Sequence, residues 1–119
     1  MRKMSKLSTT TELVAAGLLP IPTPGDILLE DFLKPMGLSQ NALARAVGVP
    51  PRRINEIVLG KRSVTADTDL RLAKYFGISE GIFIGLQALH DLRQQRRALG
   101  KTLDAIKPWR ADAIKPQAA

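Results

Sequence analysis

The sequence predicts an all-α fold of five helices. Three observations predict it: apolar residues recur at helical spacing, Ser, Thr and Pro start signals alternate with glycine stops, and no segment alternates like a strand or carries a hairpin dipeptide. At 119 residues with 45% hydrophobic content, one modest core can close. No internal repeat is evident. The chain divides into an N-terminal arm or linker (1-22), a folded domain (23-107) and a short C-terminal tail (108-119).

Residues 1-22 mix Ser, Thr and Lys with one short apolar patch and end in Pro20-Ile21-Pro22, which reads as an arm rather than core. Thr23-Pro24-Gly25-Asp26 then sets a cap hydroxyl, a proline at the first helical position and an acid at the third. Helix one runs to about Lys34 and stops before Pro35-Met36-Gly37. Leu29, Phe32, Leu33 and Met36 make its apolar stripe, with Asp26, Glu30 and Asp31 largely outside it. Ser39 caps a short second helix with Leu43, Ala44 and Val47 inward, and Gly48 permits a left-handed stop. The third starts at Pro50-Pro51, where first-turn amides need no partner within the helix, and ends at Gly60 with Ile54, Ile57 and Val58 buried.

Thr65 caps a fourth helix bearing Ala66, Leu70, Leu72, Ala73 and Phe76, closed by Gly77. Ser79 caps a fifth that reaches roughly Leu99, before Gly100. This helix carries two apolar stripes: Ile82, Leu86 and Leu89 on one side, and Ile84, Ala88 and Leu92 on the other. One stripe completes the core. The other needs a partner, which makes Ile84, Ala88 and Leu92 the expected homodimer contact. A further helical turn is expected over Leu103-Asp104-Ala105-Ile106, and Pro108 and Pro116 mark the tail.

Composition excludes several function classes. With no cysteine and a single histidine, His90, neither a disulfide framework nor a thiolate metal site is available, and no metal or cofactor is expected. The basic N-terminus is followed by Thr9-Thr10-Thr11-Glu12 rather than a long apolar run, so no signal peptide and no membrane span are expected. A reducing cytoplasm is the natural home. No Walker loop, nucleophile elbow or carboxylate dyad appears, so no enzyme activity is expected.

Eighteen Lys and Arg against 11 Asp and Glu give a net charge of +7, which favours a polyanionic partner. Segment 39-62 concentrates Arg45, Arg52, Arg53, Lys61 and Arg62 against Glu56 alone, and the stretch after His90 is also basic. Helix one, with Asp26, Glu30 and Asp31 against Lys34, is the acidic element.

The segment Leu38-Ser39-Gln40-Asn41-Ala42-Leu43-Ala44-Arg45-Ala46-Val47-Gly48-Val49-Pro50-Pro51-Arg52-Arg53-Ile54-Asn55-Glu56-Ile57 carries the chemistry. A small residue at Ala44, glycine at the turn, a hydrophobe at Val49 and an inward Ile54 let two short helices pack at a steep angle, as in a helix-turn-helix. The third helix then lies in the major groove of duplex DNA. Gln40 and Asn41 begin the second helix on the DNA side, where Gln40 reaches phosphate. An arginine fork at Arg52 or Arg53 matches guanine O6 and N7, and Pro51 offers only apolar contact. Asn55 either reads adenine or hydrates the helix face. Lys61 and Arg62 either complement the helix C-terminus or contact phosphate, and Glu56 is a solvated or intrahelical partner.

Thr23-Pro24-Gly25-Asp26-Ile27-Leu28, Ser39 to Ala44, Pro50 to Ile57, Gly60-Lys61-Arg62, Thr65 to Thr68, Leu86-Gln87 and Asp91-Leu92-Arg93 together resemble the HigA family of antitoxins, a lambda-repressor-like helix-turn-helix group. The resemblance covers about residues 22-107. It implies a bacterial antitoxin that dimerises, represses its own operon at operator DNA and neutralises a HigB-type toxin, a ribosome-dependent mRNA interferase. The sequence departs from the family at Leu59, where asparagine is frequent, and at Ile82-Phe83-Ile84-Gly85, where many relatives carry tryptophan. Because an RNA-gripping toxin must itself be basic, Asp26, Glu30 and Asp31 are the expected toxin-binding residues. Two other classes compete: a stand-alone repressor without a toxin, and an inhibitor whose helix-turn-helix is vestigial. The first would call for a signalling segment that the tail does not offer, and the second would not need Arg52 and Arg53.

Overall fold

The computed structural model describes residues 20–109, and the described residues are helical with no strand. The arm over 1–19 and the tail from 110 onward lie outside the described residues. Helix α1 runs as Pro24–Ile27, a π-helical stretch Leu28–Leu33 and Lys34–Met36. It is followed by α2 (Gln40–Val47), α3 (Pro51–Val58), α4 (Ala66–Phe76), α5 (Ile82–Leu99) and a short α6 (Lys101–Asp104).

The first start signal forms a reciprocal capping box. Asp26 N–H donates to Thr23 Oγ1 at 3.0 Å and Thr23 N–H donates to Asp26 Oδ2 at 2.9 Å. The helix then differs from the sequence expectation, because it continues past Lys34 through Pro35. Lys34 N–H bonds Leu29 O, five residues back, so the π-helical turns carry one extra residue before the proline, whose missing N–H breaks the regular ladder. The wider turn also shifts the buried face. Leu28 and Leu33, five apart, are buried, whereas Met36 is exposed and Leu29 and Phe32 only flank the core.

Two further stops behave as expected: Gly48 and Gly77 close α2 and α4 in the left-handed region, at φ 76° and 70°. Ser39 Oγ accepts from Ala42 N–H at 3.0 Å, capping α2. Thr65 occupies the cap position of α4 without a side-chain bond. The expected Ser79 cap of the fifth helix is replaced. Helix α5 begins at Ile82, and the buried Asp69 of α4 accepts from Gly81 N–H at 2.6 Å and Ile84 N–H at 2.9 Å. One carboxylate thus satisfies two first-turn amides and ties α5 to α4.

The core joins Leu28 and Leu33 of α1, Leu43, Ala44 and Val47 of α2, Ile54 and Ile57 of α3, Leu72 of α4 and Phe83 of α5, with Val49 and Val64 from the connections. Phe32, Phe76 and Phe83 pack at centroid distances of 4.7–6.4 Å, joining α1, α4 and α5 through tilted rings. Ile21, read from the sequence as arm, is buried. On α5 the inward residue is Phe83, supported by Leu86, while Ile82 and Leu89 of the expected core stripe are exposed. Asp69 fixes the start of α5 so that Phe83 points inward in their place. Leu70 of α4, also expected inward, is exposed.

Among the glycines of the described residues, Gly25 marks the tightest backbone approach. A Cβ built there would lie 1.9 Å from Ile57 O, so α1 packs its first turn directly on the α3 backbone.

Candidate nucleic-acid interface

The chain segment from Ser39 to Val58 forms two short helices at a tight turn, and hydrogen bonds fix the turn from both sides. Gly48 N–H and Val49 N–H both bond Ala44 O, at 2.9 and 3.0 Å, ending α2 in a left-handed step. From α4, Arg71 Nη1 donates to Val47 O at 2.8 Å and Gly48 O at 3.3 Å, holding carbonyls that α2 leaves without a helical partner. A Cβ at Gly48 would lie 3.2 Å from that Nη1, so glycine serves both the positive φ and the approach of Arg71.

Helix α3 starts at Pro51, with Pro50 in the cap position. Its inner side is set by buried Ile54 and Ile57, which leaves Pro51 and Arg52 on the exposed side of the first turn. Arg52 is 83% exposed in its side chain, and its Nε donates to Glu56 Oε2 at 2.8 Å, one turn on. Glu56 also accepts from Arg62, with Nε and Nη2 at 2.9 and 2.7 Å from Oε1. The expectation of an intrahelical partner for Glu56 holds, and the carboxylate takes a second guanidinium from beyond Gly60. Hydrogen bonds from Arg52 first, then Arg62, hold Glu56 below the usual carboxylate range, and the hydrogen bond to Glu56, with its charge, raises Arg52 in turn.

Arg53 lies deeper than Arg52, with its side chain 29% exposed, and its Nη1 meets Asp67 Oδ2 of α4 at 2.6 Å. Arg71 Nε donates to the same oxygen at 3.0 Å. Arg53, then Arg71, hold the Asp67 carboxyl below its usual range.

Asn55 is half-buried and turned toward α2: its Nδ2 donates to Gln40 Oε1 at 2.7 Å. Asn41 is exposed beside Gln40, and Lys61 is exposed after the α3 stop. The structure therefore gathers Gln40, Pro51, Arg52, Arg53 and Asn55 around the α2–α3 pair, with Arg62 joined to them through Glu56. Glu56, Asp67 and Arg71 are the contributors the sequence reading did not assign to this surface. The i, i+4 spacings of Arg52 with Glu56 and of Asp67 with Arg71 were the available signals.

Of the other expected site residues, Ile84, Ala88 and Leu92 are all exposed on α5, away from Phe83. On α1, Asp26 is engaged in the capping box, Glu30 accepts from Lys34 Nζ at 2.8 Å, and Asp31 is exposed. His90 does not join the α2–α3 surface; its Nδ1 lies 3.1 Å from Pro22 O, at the start of the described chain. Among the described residues no group of His, Asp and Glu has metal-site geometry, and no helix is long and apolar enough to cross a membrane.

Comparison with known proteins locates this arrangement. A family model described as "Helix-turn-helix" matches residues 29–83. The virulence-associated protein I of Dichelobacter nodosus is 45% identical over 95 residues, covering 80% of this chain and 87% of that protein. Antitoxin HigA-1 of Vibrio cholerae is 30% identical over 84 residues, covering 71% of this chain and 79% of its own length. The solved structure of Pseudomonas aeruginosa antitoxin HigA with the higBA promoter superposes with a TM-score of 0.70 at 36% identity, covering 74% of this chain and 97% of that one.

Proposed function

The chain belongs to the HigA family of helix-turn-helix antitoxins, and on that premise we propose that it is a DNA-binding antitoxin that represses its own operon and neutralises a HigB-type mRNA interferase. The single observation that carries the DNA half is the surface of the α2–α3 pair. There Arg52 and Arg53 leave the first turn of α3 with their guanidinium groups oriented by Glu56 and Asp67. The Pseudomonas relative is solved with its promoter, which supports the same use of this surface.

In this reading α3 enters the major groove and presents Pro51, Arg52, Arg53 and Asn55 toward base edges. Gln40, Asn41, Lys61 and Arg62 contact phosphate on either side, which positions the helix without selecting sequence. The protein works as a two-fold dimer on an inverted repeat, with half-site centres about 34 Å apart or a multiple of that. The exposed Ile84, Ala88 and Leu92 face supports α5 as the dimer contact. Toxin binding falls to α1, where Glu30 and Asp31 are exposed in a basic protein, and the working compartment is the cytoplasm.

The test is competition binding to an operator duplex and its single-base variants. Arg52→Ala and Arg53→Ala should each lose about 1–3 kcal/mol of discrimination at a defined base pair. A uniform loss over all variants would reduce both residues to phosphate contacts. Co-purification with the protein encoded beside the gene tests the toxin half separately.

A further inference from the structure

Asp67 and Arg71 lie on α4, outside the helix pair that meets DNA, yet they touch both parts of the motif that must be placed accurately. Through Nη1, Arg71 holds the carbonyls of Val47 and Gly48 at the turn. Through Nε it donates to Asp67 Oδ2, and that same oxygen accepts from Arg53 Nη1 at 2.6 Å. A continuous chain of hydrogen bonds thus runs from the turn, through α4, to the guanidinium leaving α3.

We infer that Asp67 and Arg71 are positioning residues for base recognition: Arg71 anchors the Asp67 carboxylate to the turn, and Asp67 fixes the direction of the Arg53 guanidinium. This inference rests on the reading above in which Arg53 meets a base edge. Two bland roles fit the arrangement less well. Exposed ion pairs contribute little to stability, and Asp67 is 54% and Arg71 41% exposed, so the pairs alone do not explain a carboxylate here. Neutralising charge beside a DNA-reading helix would by itself weaken attraction to phosphate.

Geometry supplies the reason instead. An arginine side chain has many rotamers, and a base contact needs only one of them. Asp67 engages Arg53 through Nη1, which leaves the guanidinium edge formed by Nε and Nη2 clear of that carboxylate. That edge carries the pair of parallel donors that matches guanine O6 and N7. Because Arg71 holds Asp67 to the turn, the carboxylate stays in place when Arg53 meets DNA. One carboxylate thereby links the direction of Arg53 to the arginine that holds the α2–α3 turn.

The experiment measures competition of the full chain for an operator duplex against every single-base variant, at several salt concentrations, with unfolding midpoints recorded in parallel. Arg53→Ala identifies the base pair that Arg53 reads. Asp67→Asn and Arg71→Met should lower discrimination at that same pair about 3- to 10-fold, a part of the roughly 5- to 150-fold that a whole bidentate contact carries. The salt slope should stay unchanged, since no phosphate contact is lost. Asp67→Glu should restore part of the discrimination, which a merely structural role would not require.

Should Arg71→Met unfold at the assay temperature, Asp67→Asn, at an exposed helical position, carries the test. Undiminished discrimination in Asp67→Asn would overturn the inference. Greater discrimination at that pair would overturn it too, showing that Asp67 sequesters Arg53. If Arg53→Ala itself produces no loss confined to a base pair, the reading of Arg53 fails and the inference falls with it. That outcome is recognised in the Arg53 variant alone.

Discussion

Asn55 of α3 donates its side-chain amide to Gln40 Oε1 at the start of α2, 2.7 Å away, so the two helices of the DNA-reading motif are tied through residues expected to face the operator. The bond gives a third role to Asn55 besides reading adenine or hydrating the helix. It engages the Gln40 carbonyl oxygen, which leaves the amide nitrogen of Gln40 as the donor available to a phosphate.

The pair should therefore behave as a unit. Gln40→Ala and Asn55→Ala should each weaken operator binding, and the double variant should weaken it by less than the sum. A coupling of about 0.5–3 kcal/mol is the scale for residues in one hydrogen-bond network. A double-mutant cycle from binding isotherms measures it, and strict additivity would mean that the contact plays no part in the bound state.

Glu56 and Asp67 should make stability depend on acidity in a predictable direction. Both carboxyl groups are held below their usual range by arginines, so each binds protons less readily folded than unfolded. Their stabilisation is present above the unfolded carboxylate pKa and is lost as pH falls through the depressed folded values. Urea midpoints of the parent, Glu56→Gln and Asp67→Asn should differ at pH 7 and converge in acid. A gap that stays constant from pH 7 down to pH 2 would show that charge is not its origin.

Glu56→Gln should also alter DNA binding, because Arg52 and Arg62 both lose their carboxylate partner. Affinity for random duplex should rise, and the dependence of log K on log salt should steepen by about 0.9 for each arginine that moves to phosphate. Titrations at four or five salt concentrations resolve a change of that size. An unaltered slope with unaltered affinity would mean that Glu56 already releases both arginines when DNA arrives.

Much of this surface was legible in the sequence because local chemistry dictates it. Thr23 with Asp26, Ser39, Gly48 and Gly77 each act within a few residues of themselves, and each ends or starts a helix as its chemistry requires. What escaped depends on contacts across the fold. Asp69 reads as an ordinary first-turn acid of α4, and nothing local reveals that it caps α5 twelve residues on, displacing Ser79 from that role. The apolar face of α1 was misplaced for a related reason: an α-helical period cannot anticipate the π-helical turns before Pro35, which bring Leu28 and Leu33 to one side. Arg53 was legible as a candidate, but its fixation by Asp67 pairs residues 14 apart on different helices.

Gly25 makes a sharp stability prediction. With Ile57 O only 1.9 Å from a built Cβ, Gly25→Ala cannot be accommodated without moving α1 away from α3. Destabilisation of about 1–3 kcal/mol or more follows from overpacking of this kind. Operator affinity should fall together with the urea midpoint, since the displaced α1 no longer supports the end of α3. Wild-type stability in Gly25→Ala would show that the two backbones separate freely.

The exposed face of α5 predicts self-association. Ile84 is 38% and Leu92 63% exposed, with Ala88 between them. If this face joins two copies, a carboxylate introduced at either end would be buried without a partner, at a cost of several kcal/mol. Ile84→Asp and Leu92→Asp should shift sedimentation at micromolar concentration toward the monomer and weaken cooperative binding to an inverted repeat. Half-site binding should persist. Unchanged dimers in both variants would place the contact elsewhere.

The acidic residues of α1 are not equivalent, and that difference sharpens the test of toxin binding. Asp26 is committed to the Thr23 capping box, and Glu30 is matched locally by Lys34 at 2.8 Å, while Asp31 is exposed at the next position. A basic toxin approaching this helix would feel Asp31 most directly, because the field of Glu30 is largely cancelled by its neighbour within a Debye length of about 8–10 Å. Asp31→Lys should therefore slow association more than Glu30→Lys and flatten its salt dependence, since steering by opposite charge acts mainly on the on-rate. Glu30→Lys carries an extra cost within α1, about 0.2–0.5 kcal/mol, from placing two lysines four residues apart. Stopped-flow association with the purified toxin at low and moderate salt separates the two variants, and operator binding provides the control. Equal rates for the parent and both variants would remove α1 from the toxin interface and direct attention to the basic end of α5.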